Sequence, residues 1–134
     1  MLTGWNIILA LKVAVAGLTL LLLSSFVPLA RGNYSLHGRI NSVFAVLALA
    51  ALAVLELLIR VVDPTLFDYL DEPTRRALGI HLCFSLPAAV LLPAMLFSGL
   101  THRRRLHLAL AGLFGIFWAG TFLTGVFLLP HAAP

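Results

Sequence analysis

Three histidines are the side chains in this sequence whose chemistry stands out most. His37, His81 and His102 lie in or beside long apolar stretches. An imidazole nitrogen can ligate haem iron or copper, relay a proton or hydrogen-bond a neighbour. We predict that these three histidines contact haem or a metal ion, with a hydrogen bond inside the protein as the alternative for His81.

The positions of the histidines predict two separate places for them. His81 stands alone in an apolar block, whereas His37 and His102 fall in basic segments. A His37–His102 pair can clamp a haem or a copper ion between two helices, or both side chains can contact lipid phosphates instead. His107 lies about 140° around a helix from His102, so these two cannot face one ion from a regular helix.

Four ionisable side chains interrupt the apolar stretches, namely Lys12, Glu56, Arg60 and His81. Such groups are costly inside a membrane, so each is a candidate for function or for pairing. Glu56 precedes Arg60 by one helical turn, which favours an ion pair within one helix, and Lys12 can neutralise the same carboxylate from a neighbouring helix. We predict that Lys12, Glu56 and Arg60 are buried polar groups that can meet His81 in one layer.

The residue sets of common hydrolases and phosphoryl-transfer enzymes do not occur. The sequence has no Ser-His-Asp set, no glycine-rich phosphate loop and no His-Glu-x-x-His motif. Glu56 is the only acid inside the apolar stretches, so no facing pair of carboxylates is available for acid–base catalysis. We therefore predict that the protein is not an enzyme.

The elements that position these side chains are four apolar blocks. Hydrophobic residues make up 61% of the 134 residues and charged residues 10%, against about 45–50% and about 25% in soluble proteins. Each block can cross a hydrocarbon core, which requires about 20 helical residues. The sequence predicts one all-α domain over residues 1–134, an antiparallel up-down bundle of four transmembrane helices with short loops. The predicted helices are about 6–29, 40–62, 77–100 and 107–129.

The charged residues predict the orientation of this bundle. The loop 31–39 contains two arginines and no acid, and the loop 101–106 contains three arginines. The loop 63–76 contains four acids before the pair Arg75 and Arg76, so its basic bias is weaker. The positive-inside rule then places the loops 31–39 and 101–106 in the cytoplasm and both termini outside. The net charge of +4 reports this orientation, and no nucleic-acid partner is expected.

Two local patterns predict contacts around the helices. The segment Pro64–Leu70 is amphipathic, which favours a short interfacial helix at the membrane surface. On the fourth helix, three pairs of small residues are four residues apart: Gly120 and Thr124, Thr121 and Gly125, and Ala111 and Gly115. Small residues at this spacing allow close approach of another helix, so we expect them to pack against a neighbour.

Several short motifs occur in an order that resembles a known family. They are Leu36-His37-Gly38-Arg39 opening the second helix, His81 early in the third with Pro93 later, His102-Arg103-Arg104 before the fourth, and Thr124-Gly125-Val126 near its end. Over roughly the last three quarters of its length the chain resembles a small four-helix bacterial membrane family of unknown function, the CtaM/YozB type, linked to cytochrome oxidase maturation. That family tends to have tyrosine and histidine at the end of the second helix, where this sequence has Glu56-Leu57-Leu58-Ile59-Arg60.

The resemblance implies an accessory role in the biogenesis of a haem–copper oxidase, through haem or copper contact at histidines and contact with oxidase subunits and membrane lipid. Two other functions remain open from the residues. One is a non-catalytic structural subunit of a large respiratory or photosynthetic membrane complex. The other is a small transporter or proton-conducting protein built on the four ionisable side chains of the apolar blocks.

Overall fold

The computed structural model describes residues 3–131, and this part of the chain is helical apart from short turns. The helices are α1 (Gly4–Ser24), α2 (Phe26–Ala30), α3 (Tyr34–Leu57), α4 (Glu72–Leu100) and α5 (Arg104–Leu123), and π-helical turns at Leu58–Val62 and Thr124–Leu128 end α3 and α5. Within the described residues, four helical segments are long and apolar enough to cross a membrane: Gly4–Ala30, Tyr34–Val62, Glu72–Leu100 and Arg104–Leu128. The all-α prediction is confirmed, and so is the number of such segments.

All four long helices start earlier than the hydropathy pattern predicts, and the difference is largest for α3 and α4. α3 begins at Tyr34 because the side chain of Asn33 accepts a hydrogen bond from the amide of Leu36 at 3.1 Å. α4 begins at Glu72, where Asp71 caps the helix in the same way. Both caps accept hydrogen bonds from amides that have no partner within the first helical turn. Polar residues that the hydropathy pattern assigns to loops therefore form the start of each helix.

The α2–α3 and α4–α5 turns have the same backbone geometry. Each contains a residue in the left-handed region, Gly32 with φ 73° in the first turn and His102 with φ 56° in the second. The following amide donates to the carbonyl five residues earlier, at 2.8 Å for Asn33 and 3.0 Å for Arg103. This is the Schellman arrangement, which ends a helix and satisfies its last carbonyls. His102 therefore supplies the left-handed backbone conformation that ends α4.

An aromatic cluster joins α3 to α5 at the centre of the bundle. The Phe44 ring lies 4.9 Å from that of Trp118 and 6.0 Å from that of Phe114, both edge to face, a geometry that favours aromatic pairs. The indole N–H of Trp118 donates to the Thr19 hydroxyl at 3.1 Å, which ties α5 to α1. Along α3, Phe44 and Ala45 are the buried residues, so most of this helix faces outward.

α5 packs closely against α4 through glycine, as the small-residue spacing predicts. A Cβ atom at Gly120 would clash with the Phe84 ring, and one at Gly125 would lie 3.0 Å from the imidazole of His81. Gly115 on the same helix faces open space, as does Gly112, so the close packing predicted at Gly115 is wrong.

The segment between α3 and α4 differs from its prediction. It forms consecutive turns, with the amides of Leu66 and Leu70 donating to carbonyls three residues earlier. Leu66 and Leu70 are buried, and Leu70 packs with Ile8 and Leu129. The predicted interfacial helix is wrong because these two leucines turn into the end of the bundle, which leaves Tyr69 exposed.

Candidate functional site: an apolar cavity beside His81

A cavity of about 280 Å³ lies between α1, α3, α4 and α5. Most of its wall is aliphatic, and its polar lining residues are Lys12, Glu56, His81, Ser85, Trp118 and Thr121. The lining residues that stay exposed all come from α3 and α4, namely Leu49, Glu56, Leu82 and Leu86. The cavity therefore opens sideways, between α3 and α4.

The hydrogen bonds of Thr124 favour one tautomer of His81. The Thr124 hydroxyl donates to the Gly120 carbonyl at 2.7 Å, so its oxygen is left to accept from His81 Nδ1 at 2.9 Å. His81 then carries its proton on Nδ1 and has a lone pair on Nε2. Gly125 allows this arrangement, because a side chain there would crowd the ring. His81 thus adds a nitrogen acceptor, or a metal ligand, to an otherwise aliphatic wall.

Lys12 has partners that the sequence did not reveal. Its side chain is buried, and its ammonium donates to the carbonyls of Val126, at 3.1 Å, and Leu129. It also lies 2.9 Å from His131 Nδ1, which accepts from it. The carbonyls at a helix C-terminus carry partial negative charge, so they stabilise a cation there. Lys12 thus links α1 to the C-terminal end of α5 by hydrogen bonds. These bonds replace the contact with Glu56 that the sequence suggested.

The ion pair predicted between Glu56 and Arg60 is present, with Arg60 Nε 2.5 Å from Glu56 Oε2. The prediction that both side chains are buried is wrong, because they are 50% and 76% exposed respectively. The reason is that α3 is covered at Phe44 and Ala45 but not along this face near its C-terminal end. Glu56 nevertheless lines the cavity opening.

Only three of the four ionisable side chains from the apolar blocks therefore lie around the same cavity. Lys12, Glu56 and His81 line one cavity, yet each has its own separate partners, and Arg60 lies outside the lining. The single hydrogen-bonded layer that the sequence suggested is not formed.

The other two candidate histidines lie elsewhere. His37, inside α3, donates from Nδ1 to the Ser25 carbonyl at 2.9 Å, and its Nε2 lies 2.9 Å from the side-chain nitrogen of Asn41. Both of its ring nitrogens are therefore engaged. His102 is exposed in the α4–α5 turn. Among residues 3–131, no three His, Cys, Asp or Glu side chains are grouped as a metal site would require.

His107 is a structural residue that the sequence did not single out. Its Nδ1 lies 3.0 Å from the Met95 carbonyl and 3.4 Å from the buried Ser98 hydroxyl, and its ring rests on Gly99. The adjacent small residues Ser98 and Gly99 are the only sequence signal for this contact, which holds the start of α5 against α4.

Comparison of the chain with protein-family models, curated proteins and solved structures gave no match. The site itself is an apolar pocket that opens sideways, with the imidazole of His81 held in its wall by Thr124. Such a pocket can hold an apolar molecule, and His81 Nε2 can ligate a metal or accept a hydrogen bond.

Proposed function

We propose that this chain is a multi-pass protein of the bacterial inner membrane that assists the biogenesis of a haem–copper oxidase, with His81 as its contact to haem iron or copper. The observation that carries the proposal is the bond between His81 Nδ1 and Thr124. Metal-binding histidines usually donate their other N–H to a fixed acceptor, which sets the tautomer and the ring orientation. His81 has this arrangement and lies in the wall of a cavity.

The donor chemistry fits haem or copper at His81 better than at the other two histidines. Nε2 of His81 keeps its lone pair, and the wall beside it is mostly aliphatic. The cavity of about 280 Å³ has room for a copper ion or for one edge of a porphyrin, whose other rings would extend through the opening between α3 and α4. His37 must first give up Asn41 to bind a metal, and His102 has no apolar wall around it. When bound, haem or copper supplies its own redox and ligand-exchange chemistry, while the chain supplies the fixed imidazole and a surrounding of low polarity.

The membrane arrangement is part of the same proposal. We place the four long segments across the bilayer as an antiparallel, up-down bundle, with the two Schellman turns in the cytoplasm and both termini outside. The support is the distribution of arginines: Arg103–Arg105 form the largest basic cluster at one turn and Arg31 and Arg39 flank the other, while the 63–76 segment contains the pair Arg75 and Arg76 beside its acids.

Optical spectra of the oxidised and reduced protein in mild detergent, with metal analysis of the same sample, test the function. We expect a Soret band or stoichiometric copper in the wild type. His81→Gly should lose the signal and regain it with added imidazole, which can take the place of the missing side chain. His37→Ala and His102→Gly are the matched controls and should keep it. Signal loss in His37→Ala alone, or its retention in His81→Gly without imidazole, would show that His81 is not the ligand.

A second function is favoured by the exposed Glu56–Arg60 pair. A charged pair facing lipid is costly, so a neighbouring subunit that covers this face of α3 would stabilise it. This observation supports the structural-subunit role in a respiratory complex. A colourless, metal-free sample that co-purifies in fixed ratio with a larger complex, and loses that complex on Glu56→Leu/Arg60→Leu, would favour this role over the first.

A further inference from the structure

We propose that the cavity beside His81 binds a neutral membrane-soluble hydroquinone with a long apolar chain, and that it prefers this reduced form over the quinone. The inference goes beyond the proposed function and rests on it only in placing the chain in a membrane. It concerns binding alone.

The shape of the cavity selects the kind of molecule. Its volume of about 280 Å³ is slightly below that of most ligand sites, which range from about 300 to about 1,000 Å³. One substituted ring fills such a space. The opening between α3 and α4, bordered by Leu49, Leu82 and Leu86, then lets an attached apolar chain extend sideways into the lipid.

The hydrogen-bonding groups of the cavity wall determine whether the quinone or the hydroquinone binds more tightly. Its strongest donors are already engaged: Lys12 with carbonyls of the C-terminal segment, the Thr121 hydroxyl with a carbonyl at 2.8 Å, and the Trp118 indole with a hydroxyl at 3.1 Å. Two acceptors remain, namely His81 Nε2 and Glu56 Oε1, because Arg60 binds the other carboxylate oxygen.

A ligand for this wall must therefore bring donors. A hydroquinone has two O–H groups, whereas a quinone has two carbonyl acceptors that would meet acceptors in the wall. The Ser85 hydroxyl can serve either form, so it does not change the preference. The carboxylate of Glu56 at the opening also disfavours an anionic ligand. A neutral hydroquinone matches both the polar groups and the apolar wall.

Trp118 supplies a reporter, because it lines the cavity and the other tryptophan can be removed as Trp5→Phe. The probes are a hydroquinone with a decyl chain, its quinone and its dimethyl ether, added to the protein in phosphatidylcholine nanodiscs under reducing or oxidising conditions. We expect Trp118 quenching to give about tenfold tighter binding of the hydroquinone than of either other probe, the usual effect of a lost buried hydrogen bond.

Two variants and a control locate the effect. His81→Leu and Glu56→Leu should each reduce the preference for hydroquinone while binding of the dimethyl ether persists, which shows that the cavity is still folded. Val90→Ala, on the outward face of α4, should leave all three affinities unchanged. Equal affinity of the wild type for the three probes, or a preference that survives in both leucine variants, would overturn the inference.

A haem titration of the same samples separates this inference from the proposed function. Hydroquinone preference without haem or copper binding supports the inference and contradicts the metal contact. Haem or copper binding at His81 without hydroquinone preference does the reverse. If both bind, we expect each to displace the other, because Nε2 has one lone pair; simultaneous binding would contradict the assigned acceptor.

Discussion

Lys12 shows how a single buried cation is accommodated without a carboxylate. Its ammonium has three acceptors, two carbonyls and the Nδ1 of His131, all in the C-terminal segment after α5 begins its π-helical turn. These carbonyls have no helical partners of their own, because a helix leaves its last C=O groups free. The lysine thus donates hydrogen bonds to carbonyls that lack other partners. These bonds hold α1 against the C-terminal segment.

Replacement of Lys12 by methionine should therefore destabilise the protein. Methionine keeps most of the apolar stem but leaves buried carbonyls without a donor, which costs about 1–3 kcal/mol for each unsatisfied group. We expect a clearly lower midpoint for Lys12→Met in thermal unfolding in detergent. Val13→Met, one residue away and 66% exposed, is the control and should unfold like the wild type. Equal midpoints for the two variants would mean that the ammonium contributes nothing to the fold.

At the scale of helices, the closest contact is between α4 and α5, and it depends on one glycine. Gly120 has no room for a Cβ because the Phe84 ring lies against its backbone. Gly112 and Gly115 on the same helix have open space. Small residues allow helices to approach closely, but only those facing the partner matter.

Gly120→Ala should consequently destabilise the bundle by about 1–3 kcal/mol, the usual cost of overpacking. Gly112→Ala and Gly115→Ala should be neutral or slightly stabilising, since alanine favours helix over glycine by about 1 kcal/mol. The double variant Gly120→Ala/Phe84→Leu should recover part of the loss if the clash is with this ring. Denaturant unfolding of these four variants and of Phe84→Leu alone measures these differences; additive effects in the double variant would place the strain elsewhere.

The helices themselves were predictable from the sequence, because long apolar blocks are read directly from composition. Their starts were not, since Asn33 and Asp71 are polar caps that hydropathy assigns to loops. The exposure of Glu56 and Arg60 was missed for another reason: α3 is apolar all round, so its pattern does not show which face is covered. Two of the three partners of Lys12 are backbone carbonyls, which have no sequence signature.

At the scale of the whole molecule, charge is divided between the two ends. The α2–α3 and α4–α5 turns have arginines beside them and no acid nearby in sequence. The 63–71 segment, at the other end, contains three aspartates. Arginine near a segment end resists transfer across the membrane during insertion, while acids contribute little to orientation. The proposed orientation, with the arginine-rich turns in the cytoplasm, rests on this difference.

Labelling of single cysteines with a membrane-impermeant maleimide tests this orientation. In a Cys83→Ser background, a cysteine at Tyr69, which is 81% exposed, should react in intact cells. A cysteine at Ser35, beside the α2–α3 turn, should react only after the membrane is opened. Replacing Arg103, Arg104 and Arg105 with asparagine removes the largest basic cluster and should make a fraction of Ser35→Cys reactive from outside. Labelling of Ser35→Cys in intact cells without those changes would reverse the proposed orientation, because the arginines would then lie outside.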